Sequence, residues 1–166
     1  MKLAITAIFT IFFITAIYSQ PIGWVEQTSG LTTQLTSVSV VDDNNAWICG
    51  YAGRVLRTTN GGANWVSVNA APIPGTLDLH SIYAIDANTA LVAGSGTSSF
   101  LFRTSNGGVN WTQVFTETGG FINSVQMGNA FAGFMMGDPV GGRWSLWGTT
   151  NAGLTWDSTN FYLPQA

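Results

Sequence analysis

Beyond its first twenty residues the chain is written in short apolar runs. LTSVSVV, AWICG, RVLRT and NWVSV follow one another, each rich in β-branched or aromatic residues and each separated from the next by Asn, Asp or Gly. No segment there sustains an apolar period of 3.6 residues, so helices are not expected. The pattern predicts strands at Leu35–Val41, Ala46–Gly50, Arg54–Thr58 and Asn64–Val68. The same order returns at Leu79–Ile85, Ala90–Ala93, Phe100–Thr104 and Asn110–Phe115, and again at Ile122–Met127, Phe131–Met136, Trp144–Gly148 and Thr155–Ser158. The second runs, AWICG, ALVAG and FAGFMMG, are nearly continuous in apolar residues, which is what a sheet covered on both faces requires.

The repetition extends to whole phrases. RTTNGGANW (Arg57–Trp65), RTSNGGVNW (Arg103–Trp111) and GTTNAGLTW (Gly148–Trp156) place their tryptophans 46 and 45 residues apart. Upstream, LTSVSVVD, LHSIYAID and INSVQMGN start at Leu35, Leu79 and Ile122, again 44 and 43 apart. Four strands in about 45 residues predict a β-propeller blade, giving three blades at about 35–69, 79–116 and 122–160. The repeated phrase is then the hairpin between a blade's third and fourth strands. Thr58, Thr104 and Thr149 can bond the loop, Asn60, Asn106 and Asn151 supply short amides that bond nearby backbone and tolerate a left-handed conformation, and Gly62, Gly108 and Gly153 supply positive φ at low cost. Trp65, Trp111 and Trp156 start the fourth strand and cover the turn. Burying about 200 Å² of indole at about 25 cal/mol/Å² contributes up to about 5 kcal/mol, more than any single turn hydrogen bond.

The pattern Thr-x-Asn-x-Gly-x-(Asn/Thr)-Trp resembles the Asp-box, or BNR repeat, with Asn60, Asn106 and Asn151 standing where that family usually has Asp. Together with Ser37-Val38 and Asp42, then Ala46-Trp47 and Gly50, the unit is most similar to the repeats of photosystem II stability/assembly factor-like propellers. The resemblance runs from about Trp24 to Trp156. It implies an all-β propeller that holds partner proteins, without catalysis in this chain. The Asp-box also occurs in sialidases and other glycosidases, so a fragment of a sialidase-like glycoside hydrolase or a carbohydrate-binding propeller is the alternative. Three blades fall short of the four to eight that close a ring. The chain is therefore expected to be the N-terminal part of a longer propeller, with closure by oligomerisation as the other route. Ile22-Gly23-Trp24-Val25 reads as a lone fourth strand of the kind that completes a ring's last blade.

The leader alters the picture of location. Lys2 precedes the apolar run Leu3–Ile17, and small Ser19 stands before Gln20, which predicts a cleaved signal peptide over residues 1–19 and export to the periplasm, the cell surface or the medium. The apolar run is short for a bilayer span, so no stable membrane segment is expected after cleavage. Export without a disulfide fits a bacterial protein. A net charge of −3 with four Arg and one Lys offers no basic stripe for nucleic acid. One Cys and one His exclude a His/Cys metal cage within the chain, and no cofactor is expected. Cys49 reads as a buried small hydrophobe. Asn110-Trp111-Thr112 matches a glycosylation acceptor, but its place in the repeated turn accounts for it.

Candidate chemistry is sparse, and no catalytic residue is assigned. Arg57 and Arg103 precede two of the turns and Gly148 the third, which suits charged strand residues at a blade edge or inter-blade contact better than an anion-binding ring. Tyr51, Tyr83 and Tyr162 lack the motif of a sialidase nucleophile, and Asp42, Asp43 and Asp86 sit in turn sequences. His80 reads as a structural histidine. The third unit departs from the repeat with MMGDPVGGRWSLWG, where Met135, Met136 and Trp147 read as core. There Asp138, Arg143 and Trp144 are expected on a longer loop, the best candidates for binding a protein or a carbohydrate.

Overall fold

The computed structural model describes residues 23, 25–159 and 164, so the expected leader, with Ile22 and Trp24 of the expected lone strand, lies outside the described residues. Three antiparallel sheets follow one another along the chain. The first blade joins β1 (Leu35–Val40), β2 (Ala46–Gly50), β3 (Arg54–Thr58) and the short β4 (Val66–Ser67) in that order. The second joins β5 (Asp78–Ala84), β6 (Ala90–Ser95), β7 (Ser98–Thr104) and β8 (Thr112–Thr118). The third joins β9 (Ile122–Met127), β10 (Gly133–Val140) and β11 (Arg143–Thr149).

In the third blade the fourth strand expected at Thr155–Ser158 is reduced to isolated bridges, Gly148 with Asp157 and Arg143 with Pro164. The reason is local: the Asp157 carboxylate accepts from Thr159 N at 2.8 Å and from Thr159 Oγ1 at 2.6 Å, a turn that competes with a regular ladder.

Blades pack through their first two strands, β1 and β2 against β5, then β5 and β6 against β9. Each contact encloses a core. Between the first and second blades lie Trp47, Cys49, Leu79, Ile82, Ala84, Val92, Phe102 and Trp111. Between the second and third lie Leu91, Ala93, Leu101, Ile122, Val125, Met127 and Met135. The middle sheet therefore sends alternate residues of β6 to opposite cores, which explains why ALVAGS is buried throughout. Cys49 is buried as expected, and its thiol is pushed up to about 11 by that burial.

The three Asp-box turns are built alike. Thr58 Oγ1 accepts from Gly62 N at 2.9 Å and from Asn60 N at 3.3 Å, and donates to Asn60 Oδ1 at 3.0 Å. Asn60 Oδ1 also accepts from Asn64 N at 2.9 Å. Thr104 with Asn106 and Thr149 with Asn151 repeat this set within about 0.2 Å. The asparagine thus works as an acceptor and not through a left-handed backbone. Positive φ falls on the two residues after it, Gly61 and Gly62, Gly107 and Gly108, and Ala152 and Gly153.

The tryptophans differ where equal anchors were expected. Trp111 is buried and Trp65 and Trp156 are half-buried. Each reaches toward the blade before it or back to its own turn. Trp111 stands edge-on to Trp47 at 6.2 Å and donates to Val68 O of the first blade at 2.8 Å. Trp65, with no earlier blade described, donates to Gln27 Oε1 at 3.1 Å. Trp156 donates to Gly153 O in its own turn at 3.1 Å.

Turns between first and second strands carry the acidic residues, as expected. Asp86 Oδ1 accepts from Asn88 N and Thr89 N, both at 2.7 Å. Burial raises its carboxyl, yet those bonds and the charge of Arg103 hold it below the ordinary 3.8. A carboxyl lowered by folding contributes stability that is present above 3.8 and is lost as pH falls through its folded value. Asn129 makes the same turn in the third blade, accepting from Phe131 N and Ala132 N at 2.8 Å. Asp86→Asn should therefore keep the fold and flatten part of the acid-side decline in melting temperature. Superimposable pH profiles of wild type and variant would contradict this.

Candidate functional site

The sequence MMGDPVGGRWSLWG forms no loop. β10 runs on to Val140 and β11 starts at Arg143, so the expected longer loop is corrected to an extended hairpin closed by Gly141 and Gly142. The reason lies in that pair: φ of 63° and 82° permits a two-residue turn whose twist matches the strands. A register shift between Gly137 and Pro139 accommodates the proline, which has no N–H for a ladder.

On this hairpin Asp138 is exposed, and its Oδ1 accepts from Asn123 Nδ2 at 2.9 Å. Arg143 donates to Ser158 Oγ at 3.2 Å and lies 5.5 Å over the Trp147 ring, so its guanidinium is held in place. Trp144 is exposed. Met135 is core as expected, whereas Met136 points outward from the sheet, because neighbours on a strand face opposite sides. Trp147 is half-buried beside Phe115, ring centroids 4.8 Å apart.

Sequence reasoning missed what stands next to the hairpin. Tyr51 follows β2, His80 lies near the start of β5 and Phe121 precedes β9, so antiparallel order brings all three to one edge of the blades. Tyr51 meets His80 edge-on at 5.9 Å, and His80 meets Phe121 at 4.4 Å. Phe121 O accepts from Asp138 N at 2.8 Å, which joins this row to the hairpin. Burial lowers the His80 pKa, with Asp78 offsetting part of the effect, so the imidazole is neutral near pH 7. The result is a rim of aromatic faces crossing three blades, with Asp78 near one end and Asp138 at the other. A signal existed in the sequence: each residue sits at a strand end on the same side of its repeat.

The opposite edge is structural. Arg57 donates to Asn88 Oδ1 of the next blade at 3.2 Å while lying 5.3 Å over the Trp47 ring, and Arg103 Nε donates to Ala152 O of the third blade at 2.9 Å. Both arginines are inter-blade clamps. Tyr83 is equally structural, donating to Met127 O at 3.0 Å, and Tyr162 lies outside the described residues. Among the described residues no group of three or more His, Cys, Asp or Glu is placed to hold a metal ion.

Antiparallel blades packed through their inner strands and stapled by Asp-box turns define a β-propeller protein of the BNR-repeat class. More narrowly, the chain belongs to the family described as photosynthesis system II assembly factor YCF48, whose model matches residues 22–134. A structure of YCF48 bound to D1 peptide is similar over 80% of this chain and 42% of its own, with a TM-score of 0.62 and 16% identity. YCF48 from Cyanidioschyzon merolae is similar over 76% of this chain and 40% of its own, at a TM-score of 0.57 and 21% identity. The GH74 xyloglucanase from Xanthomonas campestris shares the fold over 74% of this chain and 23% of its own, at a TM-score of 0.55 and 17% identity. The chain thus spans about two fifths of the length of the YCF48 structures. No curated protein matches it.

Proposed function

We propose that this chain is an exported, non-catalytic propeller scaffold that binds an extended polypeptide along the rim formed by Tyr51, His80, Phe121 and the Asp138–Trp144 hairpin. The single observation that carries the reading is the continuous aromatic row, whose flat faces and flanking carboxylates suit side chains and backbone of a peptide. Membership in the assembly-factor family supports a protein partner, and a YCF48 structure holds a D1 peptide. Export rests on the leader over residues 1–19, and a mature mass starting at Gln20 checks it. The fold shared with GH74 enzymes favours a second reading, a carbohydrate-binding propeller segment using the same aromatic faces.

One titration separates the two readings. The chain is titrated with peptides selected from a random immobilised library, and in parallel with xyloglucan oligosaccharides. Peptide binding that weakens at least about tenfold in Tyr51→Ala/Trp144→Ala supports the proposal. Peptide binding indifferent to that change, or oligosaccharide binding in its place, overturns it.

A further inference from the structure

The rim that crosses the three blades carries its charge unevenly. Asp78 Oδ1 accepts from Ala52 N at 3.1 Å, which seats this carboxylate at the Tyr51 end of the aromatic row. At the Phe121 end, Asp138 N donates to Phe121 O at 2.8 Å, and Asp138 Oδ1 accepts from Asn123 Nδ2 at 2.9 Å. Glu117 joins that end. A Cβ added at Gly120, the residue before Phe121, would lie 3.6 Å from Glu117 Oε2 and 3.7 Å from Asp138 O. Glu117 Oε2 accepts from Ser145 Oγ at 2.7 Å. These donors are neutral, so they orient the three carboxylates without cancelling their charge.

The positive groups are drawn aside. Arg143 is tied to Ser158 Oγ and lies over Trp147. Arg54 pairs in register with Gly50, so by strand alternation it shares the face of Ile48 and Leu56, opposite to Trp47 and Cys49, which meet the second blade. Arg57 and Arg103 serve the other edge. His80, neutral near pH 7, opposes no cation.

Aromatic faces attract cations through the ring quadrupole. A guanidinium can stack on such a face while its planar fork bonds a carboxylate at two points, which an ammonium cannot do. Ring centroids step by 5.9 and 4.4 Å along the row, and an extended chain advances about 6.6 Å per two residues, so alternate side chains reach its two ends. Resting on the peptide-binding reading of this rim, we propose that its occupant is a basic segment, an extended chain with arginine at alternate positions. Its guanidinium groups stack on the rings and bond Asp78 at one end, and Asp138 with Glu117 at the other.

The probe is an acetylated and amidated peptide of alternating Arg and Thr, compared with its isostere in which citrulline replaces each Arg. Fluorescence anisotropy with the purified chain should show the arginine peptide bound at least about tenfold more tightly than the citrulline peptide at about 0.05 M salt, an advantage that shrinks at about 0.5 M. Asp78→Asn and Asp138→Asn keep an Oδ1 acceptor for Ala52 N and Asn123 Nδ2 while removing the charge. Each should weaken the arginine peptide about threefold and leave the citrulline peptide unchanged. Asp42→Asn removes the same charge from the turn between β1 and β2 on the opposite edge, and should change neither. An arginine peptide that fails to bind, or one indifferent to both rim substitutions, would overturn the inference, as would an equal effect of Asp42→Asn. A citrulline peptide bound as tightly as the arginine peptide, and lost in Tyr51→Ala/Trp144→Ala, would overturn the preference for a basic segment and leave the peptide-binding rim standing.

Discussion

Trp111→Ala is expected to destabilise the protein by about 3–5 kcal/mol, the cost of emptying an indole site in a packed core. The side chain is 4% exposed and closes the core between the first two blades against Trp47. Its loss also leaves Val68 O without the indole donor now 2.8 Å away. For a domain of this size the melting temperature should fall by about 10 °C or more. Trp65→Ala is the matched control. Its indole is half-buried and bonded to the exposed Gln27 side chain, so a cost of about 1–2 kcal/mol is expected. Equal melting shifts for the two variants would show that the tryptophan serves its own turn and not the adjoining blade.

Gly108→Ala is expected to cost about 2–5 kcal/mol, from a left-handed backbone at about 1–2 kcal/mol and overpacking at about 1–3 kcal/mol. Its φ is +84°, and an added Cβ would stand 2.6 Å from Val68 Cβ and 3.1 Å from Val68 O, atoms fixed on the preceding blade. The neighbouring Gly107→Ala should cost only about 1 kcal/mol, although its φ of +72° is also left-handed. There the added Cβ meets Arg57 Nη1, the far end of a flexible side chain that can give way at some cost to its contact with Asn88, and the third copy of the turn already carries Ala152 at φ +59°. Denaturant unfolding of the two variants gives the order directly. A larger loss at Gly107 than at Gly108 would contradict the blade-contact explanation.

Much of the architecture was legible because repeats multiply a weak signal. One RTTNGGANW could be any hairpin, but three copies 46 and 45 residues apart, each with the same upstream strands, leave little besides a blade. Strand positions followed from β-branched runs bounded by Asn, Asp and Gly, and most lie within two residues of the observed limits. Thr58, Thr104 and Thr149 were placed in the turns correctly, because a hydroxyl so near the Asn and Gly has few other partners. The hairpin of the third blade was misread as a loop, since Pro139 and the Gly141-Gly142 pair mark a turn without saying that ladder pairing continues on both sides.

What spacing and composition settle alone is therefore local: strands, turns and the blade repeat. These depend on neighbours a few residues apart, and a period-two pattern records them directly. Which tryptophan is an anchor, which arginine is a clamp, and that Tyr51, His80 and Phe121 share one rim were decided only by the packing of sheet on sheet. Those contacts join residues about 30 to 50 positions apart, and identical phrases meet different surroundings in each blade. The same Trp is buried in the second blade, where it stands edge-on to Trp47 and bonds Val68 O, and half-buried in the first, where its indole bonds the exposed Gln27 side chain.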